Sequence, residues 1–416
     1  MYGYKYPHPA MTADCVVFSV DFSGEPKLLL IERASEPCKG RWAFPGGFMN
    51  IDETAGQCAS RELLEETGLE INNWKEVGVF STVDRDPRER VVTVAFCAVV
   101  FGESLCEVKG GDDAHCAAWC KLSELPPLAF DHEQILDKAL AMTGFSRTKH
   151  LTNLLLGAAV GDICGSSYEF APCKDYDRLD ITNENSDYTD DTVCTFAVAK
   201  ALMDGGDMPL YLQNFCKEDM FRGYGTGFMN WLFNPTPKPY GSYGNGSAMR
   251  CSAAGFLAKG EEECAYLAEK TAACTHNHPE GIKGAVATAL AIYHLLHGKD
   301  KGYVRKNVLE HYYPEWADCT IDGLRADYEF NETCQKTVPV ALLAFLESAD
   351  YEDCIKKAIS MGGDADTLAA IAGPMAYAFY RHIPERLLRL TYCRLPQKML
   401  EINCRFDALA NIPLQR

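Results

Sequence analysis

Residues 47–69, GFMNIDETAGQCASRELLEETGL, constrain this chain more than any other stretch. The spacing is Gly47, five residues, Glu53, seven residues, then Arg61-Glu62-Leu63-x-Glu65-Glu66-x-Gly68-Leu69. The run 54–67 has no proline and one glycine, so it reads as a helix. Glu62, Glu65 and Glu66 stand at i, i+3 and i+4 and share one face of it. Like charges at that spacing destabilise a bare helix by roughly a few tenths of a kcal/mol. A hard divalent cation, which prefers oxygen ligands, turns the same repulsion into a binding site. Gly68 suits the left-handed position that ends a helix. Pro45-Gly46-Gly47 allows the backbone to turn sharply ahead of it. A merely solvated acidic helix would need none of the flanking positions.

Composition bounds the remainder. A chain of 416 residues is expected to form about two or three domains, and 47% apolar residues is ample for packed cores. No run of eighteen apolar residues is present, so no membrane-spanning helix is expected. The opening residues MYGYKYP do not form a signal peptide. A net charge of −18 argues against electrostatic attachment to nucleic acid or an anionic membrane. The nineteen cysteines are scattered through apolar stretches, and Cys116 and Cys120 form a C-x3-C pair without a second pair. These read as reduced, mostly buried thiols of a cytoplasmic protein.

Two regions differ in periodicity. Residues 12–31 alternate and run apolar, reading as paired strands around a turn at Ser23 and Gly24. Residues 91–101, VVTVAFCAVVF, read as a buried strand, and 131–142 as a closing helix. A short polar linker follows at 143–146. From residue 151 onward helical periodicity dominates, as in GIKGAVATALAIYHLLHG. The shift from α/β to all-α places a boundary near 144–150 and domains at 1–145 and 150–416. No internal repeat is visible.

The 47–69 pattern is the complete signature of the Nudix hydrolases, which the first domain resembles. FSTVDRDPRERVVTV at 80–94, GGDDAHCAAW at 110–119 and LPPLAFDHEQ at 125–134 resemble the ADP-ribose pyrophosphatase branch. The resemblance implies a mixed sheet between helices and hydrolysis of a nucleoside-linked diphosphate assisted by Mg²⁺. It implies Glu62, Glu65 and Glu66 as ligands of at least one ion, with Arg61 beside them in catalysis. Arg85 and Arg88 offer guanidinium groups to an anionic substrate. Some relatives with this pattern are regulators that bind ADP-ribose and DNA, but no basic winged helix follows here.

The second domain carries separated acidic clusters. Thr189-Asp190-Asp191 lies in DYTDDTVCTFAVA and Asp364-Ala-Asp366-Thr367 in SMGGDADTLAAIAGPMA. Each opens an apolar helix, where the dipole favours carboxylates. Together they supply only hard oxygen donors, a set suited to Mg²⁺ rather than Zn²⁺. With GAAVGDICGSSYEF at 157–170, GSYGNGSAMR at 241–250 and THNHPEG at 275–281, they resemble the ADP-ribosylglycohydrolase family. That resemblance spans almost all of 150–390. It implies an all-α fold and a pair of Mg²⁺ ions held by Thr189, Asp190, Asp191, Asp364, Asp366 and Thr367. It also implies a catalytic carboxylate, Glu169, on a mobile loop. The GSYGNG loop reads as a substrate cradle, because glycines let backbone amides approach a diphosphate. Gly241, Ser242, Tyr243, Gly244 and Asn245 match its substrate contacts, with Tyr243 stacking on adenine, and His276 matches a substrate-contacting histidine. His278 reads as structural. Residues 223–227, GYGTG, are not a dinucleotide fingerprint, since no strand precedes them. Ser167 stands where many relatives have proline.

Both halves together imply a bifunctional enzyme. The second domain would release ADP-ribose from a conjugate, and the first would split ADP-ribose into AMP and ribose 5-phosphate. The alternatives are an ADP-ribose-sensing Nudix domain that regulates the hydrolase, or release from a small conjugate such as O-acetyl-ADP-ribose. ADP-ribose and an ADP-ribosylated substrate are the expected partners. The motifs leave open the group to which ADP-ribose is attached, and the oligomeric state.

Overall fold

The computed structural model describes residues 5–22, 24–102, 114–148 and 151–410. Ser23 of the expected turn, residues 110–113 of the GGDD motif and residues 149–150 at the expected domain boundary lie outside them. The chain divides into two compact units, Met1–Thr152 and Asn153–Arg416.

The first unit is built on one sheet of strands β1 (Ala10–Val20), β2 (Pro26–Arg33), β3 (Trp42–Ala43), β4 (Gly46–Phe48), β5 (Lys75–Phe80), β6 (Val91–Phe101) and β7 (Ala114–Lys121). Its order is β3-β2-β1-β6-β5, with β4 added to β1 and β7 to β2. β1 runs parallel to β6 over its whole length, from Ala10 opposite Val91 to Val20 opposite Phe101. It pairs antiparallel with β2, Phe18 opposite Leu28. The sheet is therefore mixed. β1 is largely apolar on both faces because both are covered, Thr12, Asp14 and Ser19 being its polar residues. Ala13, Cys15 and Val17 meet Cys58, Ala59 and Leu63 of helix α1 (Ala55–Thr67). On the opposite face Phe18 meets Phe145, just beyond helix α2 (His132–Thr143), at 5.1 Å between ring centroids.

Helix α1 is held at both ends. Thr54 Oγ1 accepts from the Gln57 amide, and the Gln57 side chain accepts from the Thr54 amide. This reciprocal cap contributes about 1 kcal/mol. Gly68, at φ 74°, closes the other end by donating to the Leu64 carbonyl.

In the second unit the named elements are all helical among the described residues. Helix α3 (Leu156–Ser166) packs on the helix Ala365–Tyr380, and small residues set the separation. A Cβ added at Gly161 would lie 2.1 Å from the Ala369 carbonyl oxygen, and one at Gly165 2.5 Å from Asp366 Cα. Any side chain there would push the helices apart and withdraw Asp162 from Asp366. Asp407 in the last helix, Gln397–Leu409, accepts from the Asn153 and Leu154 amides at 2.6 and 3.0 Å, tying the end of the unit to its start.

Two candidate active sites

The first unit opens a cavity of about 420 Å³ between β1, the turn into β4, α1 and the start of α2. Asp14, Glu62 and Glu66 line it together, and Glu36 and Asp86 are also in its wall. The turn is shaped for this. A Cβ at Gly47 would stand 2.5 Å from the Glu62 carboxylate, and Gly46, at φ +156°, donates its amide to Glu66 Oε2 at 2.8 Å. Burial pushes the Glu66 carboxyl up to about 8, against the Gly46 bond and with help from Glu62 and Asp14. Burial also raises Glu62.

Arg61 organises the remainder. It forks onto Glu53 at 2.6 and 3.0 Å, reaches Glu62 at 2.7 Å and Glu65 at 3.1 Å, and donates to the Phe48 carbonyl at 3.2 Å. The same guanidinium holds Glu53 down at about 2. Helical spacing leads one to expect all three glutamates in one ligand set, and here the arrangement differs. Glu65 is 58% exposed in its side chain, is held by Arg61 and lies outside the cavity wall. Among the described residues the three do not gather as one metal-holding group. Only Glu62 and Glu66 face the space.

Arg85 and Arg88 both line the cavity, but neither guanidinium is unpaired. Buried Arg85 forks onto Asp131 at 2.7 and 3.0 Å and approaches Asp14 at 3.5 Å. Arg88 forks onto Asp86 and lies over the Phe48 ring. Arg85 thus braces the wall, while the Arg88 side chain, 42% exposed, is the more available to an anion. The sequence reading passed over Asp14 and His132. His132 stacks on Phe44, accepts from the Phe44 amide at 3.0 Å and faces Asp14 at 3.7 Å.

The second unit holds a cavity of about 290 Å³ lined by Glu169, Asp190, Asp191, Asp364, Asp366 and Thr367. Asp190 and Asp191 open helix α4 (Asp190–Asp204), and Asp364 and Asp366 open Ala365–Tyr380. Carboxylate oxygens of Asp162, Asp191 and Asp366 lie within 4.8 Å of one another, as do those of Glu169, Asp364 and Asp366. Burial and neighbouring carboxylates raise Asp190, Asp191, Asp366 and Glu169. Asp191 Oδ1 is buried with no hydrogen-bond partner. An orphaned oxygen among crowded, desolvated carboxylates is the environment that a hard divalent cation satisfies, and the donor set fits one.

Asp162 was missed in the sequence. Fully buried on α3, it accepts from the Thr189 amide and hydroxyl at 2.9 and 2.7 Å and from the Thr192 amide and hydroxyl. It caps α4 from a neighbouring helix. Its only signal was one acid in the apolar run GAAVGDICG. Thr189, expected as a metal ligand, gives its hydroxyl hydrogen to Asp162 and accepts from the Asp191 amide at 3.3 Å. Thr367 donates to Asp191 Oδ2 at 3.2 Å.

The glycine-rich loop is only partly in the wall. Ser242, Gly244 and Asn245 line the cavity, whereas Gly241 and Tyr243 do not. Tyr243 is 49% exposed beside His278, and Tyr240 is the tyrosine that faces the space. Asn245 spends its amide on Asp364 at 2.7 Å and Thr337 at 3.2 Å, which orients a carboxylate. His276 lines the wall, and His278 caps the helix Pro279–Leu296 by accepting from the Glu280 amide. Gly223, Gly225, Thr226 and Gly227, set aside in the sequence as no nucleotide fingerprint, also line this cavity.

No helix among the described residues is long and apolar enough to cross a membrane. The described cysteines are free thiols, most of them buried.

Comparison with known proteins matches residues 146–411 to the ADP-ribosylglycohydrolase family and 9–140 to the NUDIX domain. An ADP-ribose pyrophosphatase of Methanocaldococcus jannaschii is 43% identical over 131 residues, which cover 32% of this chain and 73% of that one. An ADPR responsive transcriptional repressor of Acinetobacter baylyi is 37% identical over 141 residues, 33% of this chain, and the match spans about half of that protein, 55%. A human ADP-ribosylhydrolase is 25% identical over 309 residues, covering 54% of this chain and 84% of that one.

Proposed function

Since the chain belongs to the ADP-ribosylglycohydrolase family and carries a Nudix hydrolase domain ahead of it, we propose that it degrades ADP-ribose conjugates in two hydrolytic steps. The second unit releases ADP-ribose by cleaving the glycosidic bond at the distal ribose. The first unit splits the diphosphate of ADP-ribose into AMP and ribose 5-phosphate. The observation that carries this reading is the presence of two separate acidic cavities on one chain, each with a buried carboxylate set.

In the second unit Asp190, Asp191, Asp364 and Asp366 are the residues that would hold cations, with Asp162, Thr189 and Thr367 orienting them. In the first unit Glu62 and Glu66 would do so, with Asp14 beside them. When bound, Mg²⁺ supplies Lewis acidity and lowers the pKa of a water molecule. Glu169, which lines the wall near Asp366, would hold or pass on a proton as the leaving group departs. Tethering raises the local concentration of the intermediate at the second step. The net charge of −18 agrees with a small-molecule rather than a nucleic-acid substrate.

One observation favours a second reading, in which the first unit senses ADP-ribose. Glu65 turns out of the cavity onto Arg61, and a repressor is among the relatives of this unit. Incubating the intact chain with free ADP-ribose and Mg²⁺ separates the two. Turnover to AMP supports the hydrolase. Saturable binding without turnover supports the sensor.

A further inference from the structure

Arg250 is 1% exposed and is the one lysine or arginine among the described residues that line the second cavity. No carboxylate pairs with it among the described residues. Its Nη2 donates to the Thr271 carbonyl at 3.0 Å and to Thr275 Oγ1 at 2.6 Å, and lies 3.7 Å from the sulfur of Cys274. Its Nε is buried with no partner. A guanidinium in such a place serves an anion or fixes its neighbours.

The neighbours form a directed chain. Thr275 is 0% exposed, and its Oγ1 lies 2.7 Å from Nδ1 of His276. Oγ1 already accepts the Arg250 proton, so its single hydrogen needs an acceptor of its own. The acceptors in reach are His276 Nδ1 and the thiol sulfur of Cys274, and sulfur is the weaker. The hydroxyl therefore donates to Nδ1. Burial and the Arg250 charge hold His276 well below the usual histidine range, so the ring carries one proton, on Nε2. Nε2 faces the glycine-rich loop. A Cβ on Gly246 would stand 3.2 Å from it and one on Gly244 3.5 Å. The two glycines leave that N–H open to the cavity.

We propose that Arg250 and Thr275 form a relay that fixes His276 as an Nε2–H donor to an anionic oxygen of the ADP-ribose diphosphate. This rests on reading the second unit as a hydrolase of ADP-ribose conjugates. Arg250 and Thr275 are positioning residues, and His276 is the one that touches substrate. The arrangement recognises an anion with an uncharged donor backed by a buried cation, in a wall otherwise dominated by carboxylates.

The test uses the intact chain labelled with ¹⁵N-histidine, with Mg²⁺ present. The His276 nitrogens are assigned by their loss in His276→Gln. The expected parent spectrum has Nε2 protonated and Nδ1 bare. Thr275→Val, nearly isosteric, removes the donor to Nδ1. It should move the ring toward the Nδ1–H tautomer and raise KM for an ADP-ribose conjugate about tenfold, with kcat within about twofold. Thr275→Ser keeps the hydroxyl and should restore both. A parent ring protonated on Nδ1, or a Val variant with unchanged tautomer and KM, overturns the proposal. A parent chain that consumes no conjugate refutes the functional reading instead, while the nitrogen spectrum still decides the tautomer.

Discussion

The two acidic sites face the same problem, several carboxylates crowded into a small space, and meet it differently. In the first unit Glu62, Glu65 and Glu66 come from a single helical stretch, and Arg61 on the same helix binds two of them. In the second unit the acids come from α3, α4, the loop between them and the helix Ala365–Tyr380, and among the described residues hydroxyls, amides and neighbouring carboxyl groups hold them. A protein cation partly neutralises the first set. Each set leaves one buried carboxylate oxygen without a hydrogen-bond partner, Asp14 Oδ2 in the first and Asp191 Oδ1 in the second. The second, however, gathers more carboxylates that burial and one another raise, and among the described residues no lysine or arginine pairs with them. The second site therefore depends more on an added cation, and the difference can be tested.

The largest expected effect is at Asp366, which belongs to both groups of converging carboxylates. Asp366→Asn should lower release of ADP-ribose on the order of a thousandfold, about 4 kcal/mol of barrier. Hydrolysis of free ADP-ribose should be unchanged in the same preparation. Full release activity in that variant would remove Asp366 from the machinery.

Next comes a contrast within the first site. Glu66→Gln should reduce hydrolysis of ADP-ribose about a hundredfold, since it removes a buried carboxylate from the cavity. Glu65→Gln should reduce it by less than about tenfold, because that side chain lies outside the wall. Steady-state rates for the two variants measure the ratio, and equal losses would mean that Glu65 swings inward during turnover.

Sequence reached these two sites by different routes. The Nudix helix was legible because its acids recur within two turns, where spacing alone sets the shared face. The outward turn of Glu65 was not, since Arg61 decides it through contacts to Glu53 and the Phe48 carbonyl that spacing does not encode. Asp14 and Asp162 escaped for one reason. Each is a single acid in a run whose other members are buried, ADCVVFSV in β1 and GAAVGDICG in α3. Such an acid is itself a signal, because an isolated carboxylate is costly to bury without partners. The clusters at 189–191 and 364–367 were read from motif resemblance, but their meeting depends on the glycines of α3, four residues apart. Which tyrosine faces the cavity was not legible, because loop direction, not composition, brings Tyr240 inward and leaves Tyr243 exposed beside His278.

Chelation should expose the same contrast as stability. At a cation concentration about a hundred times Kd, binding contributes about 2.7 kcal/mol to the folded state. Removing divalent cations should lower the melting temperature of the second unit by several degrees and that of the first by less. Hydrogen exchange resolved by unit would read both, and a greater loss in the first unit would reverse the comparison. The smallest effect is Thr54→Ala, which removes half of the reciprocal cap on α1. About 1 kcal/mol of stability should be lost in the first unit, with denaturant curves for the second unchanged.

The most direct test of two sites acting in series is a chromatographic time course on one ADP-ribose conjugate with Mg²⁺, comparing three chains. The intact chain should end at AMP and ribose 5-phosphate. Glu66→Gln should stop at ADP-ribose, and Asp366→Asn should leave the conjugate untouched. If the intact chain accumulates ADP-ribose and never consumes it, or if Glu66→Gln forms AMP at the intact rate, the two-step account is wrong.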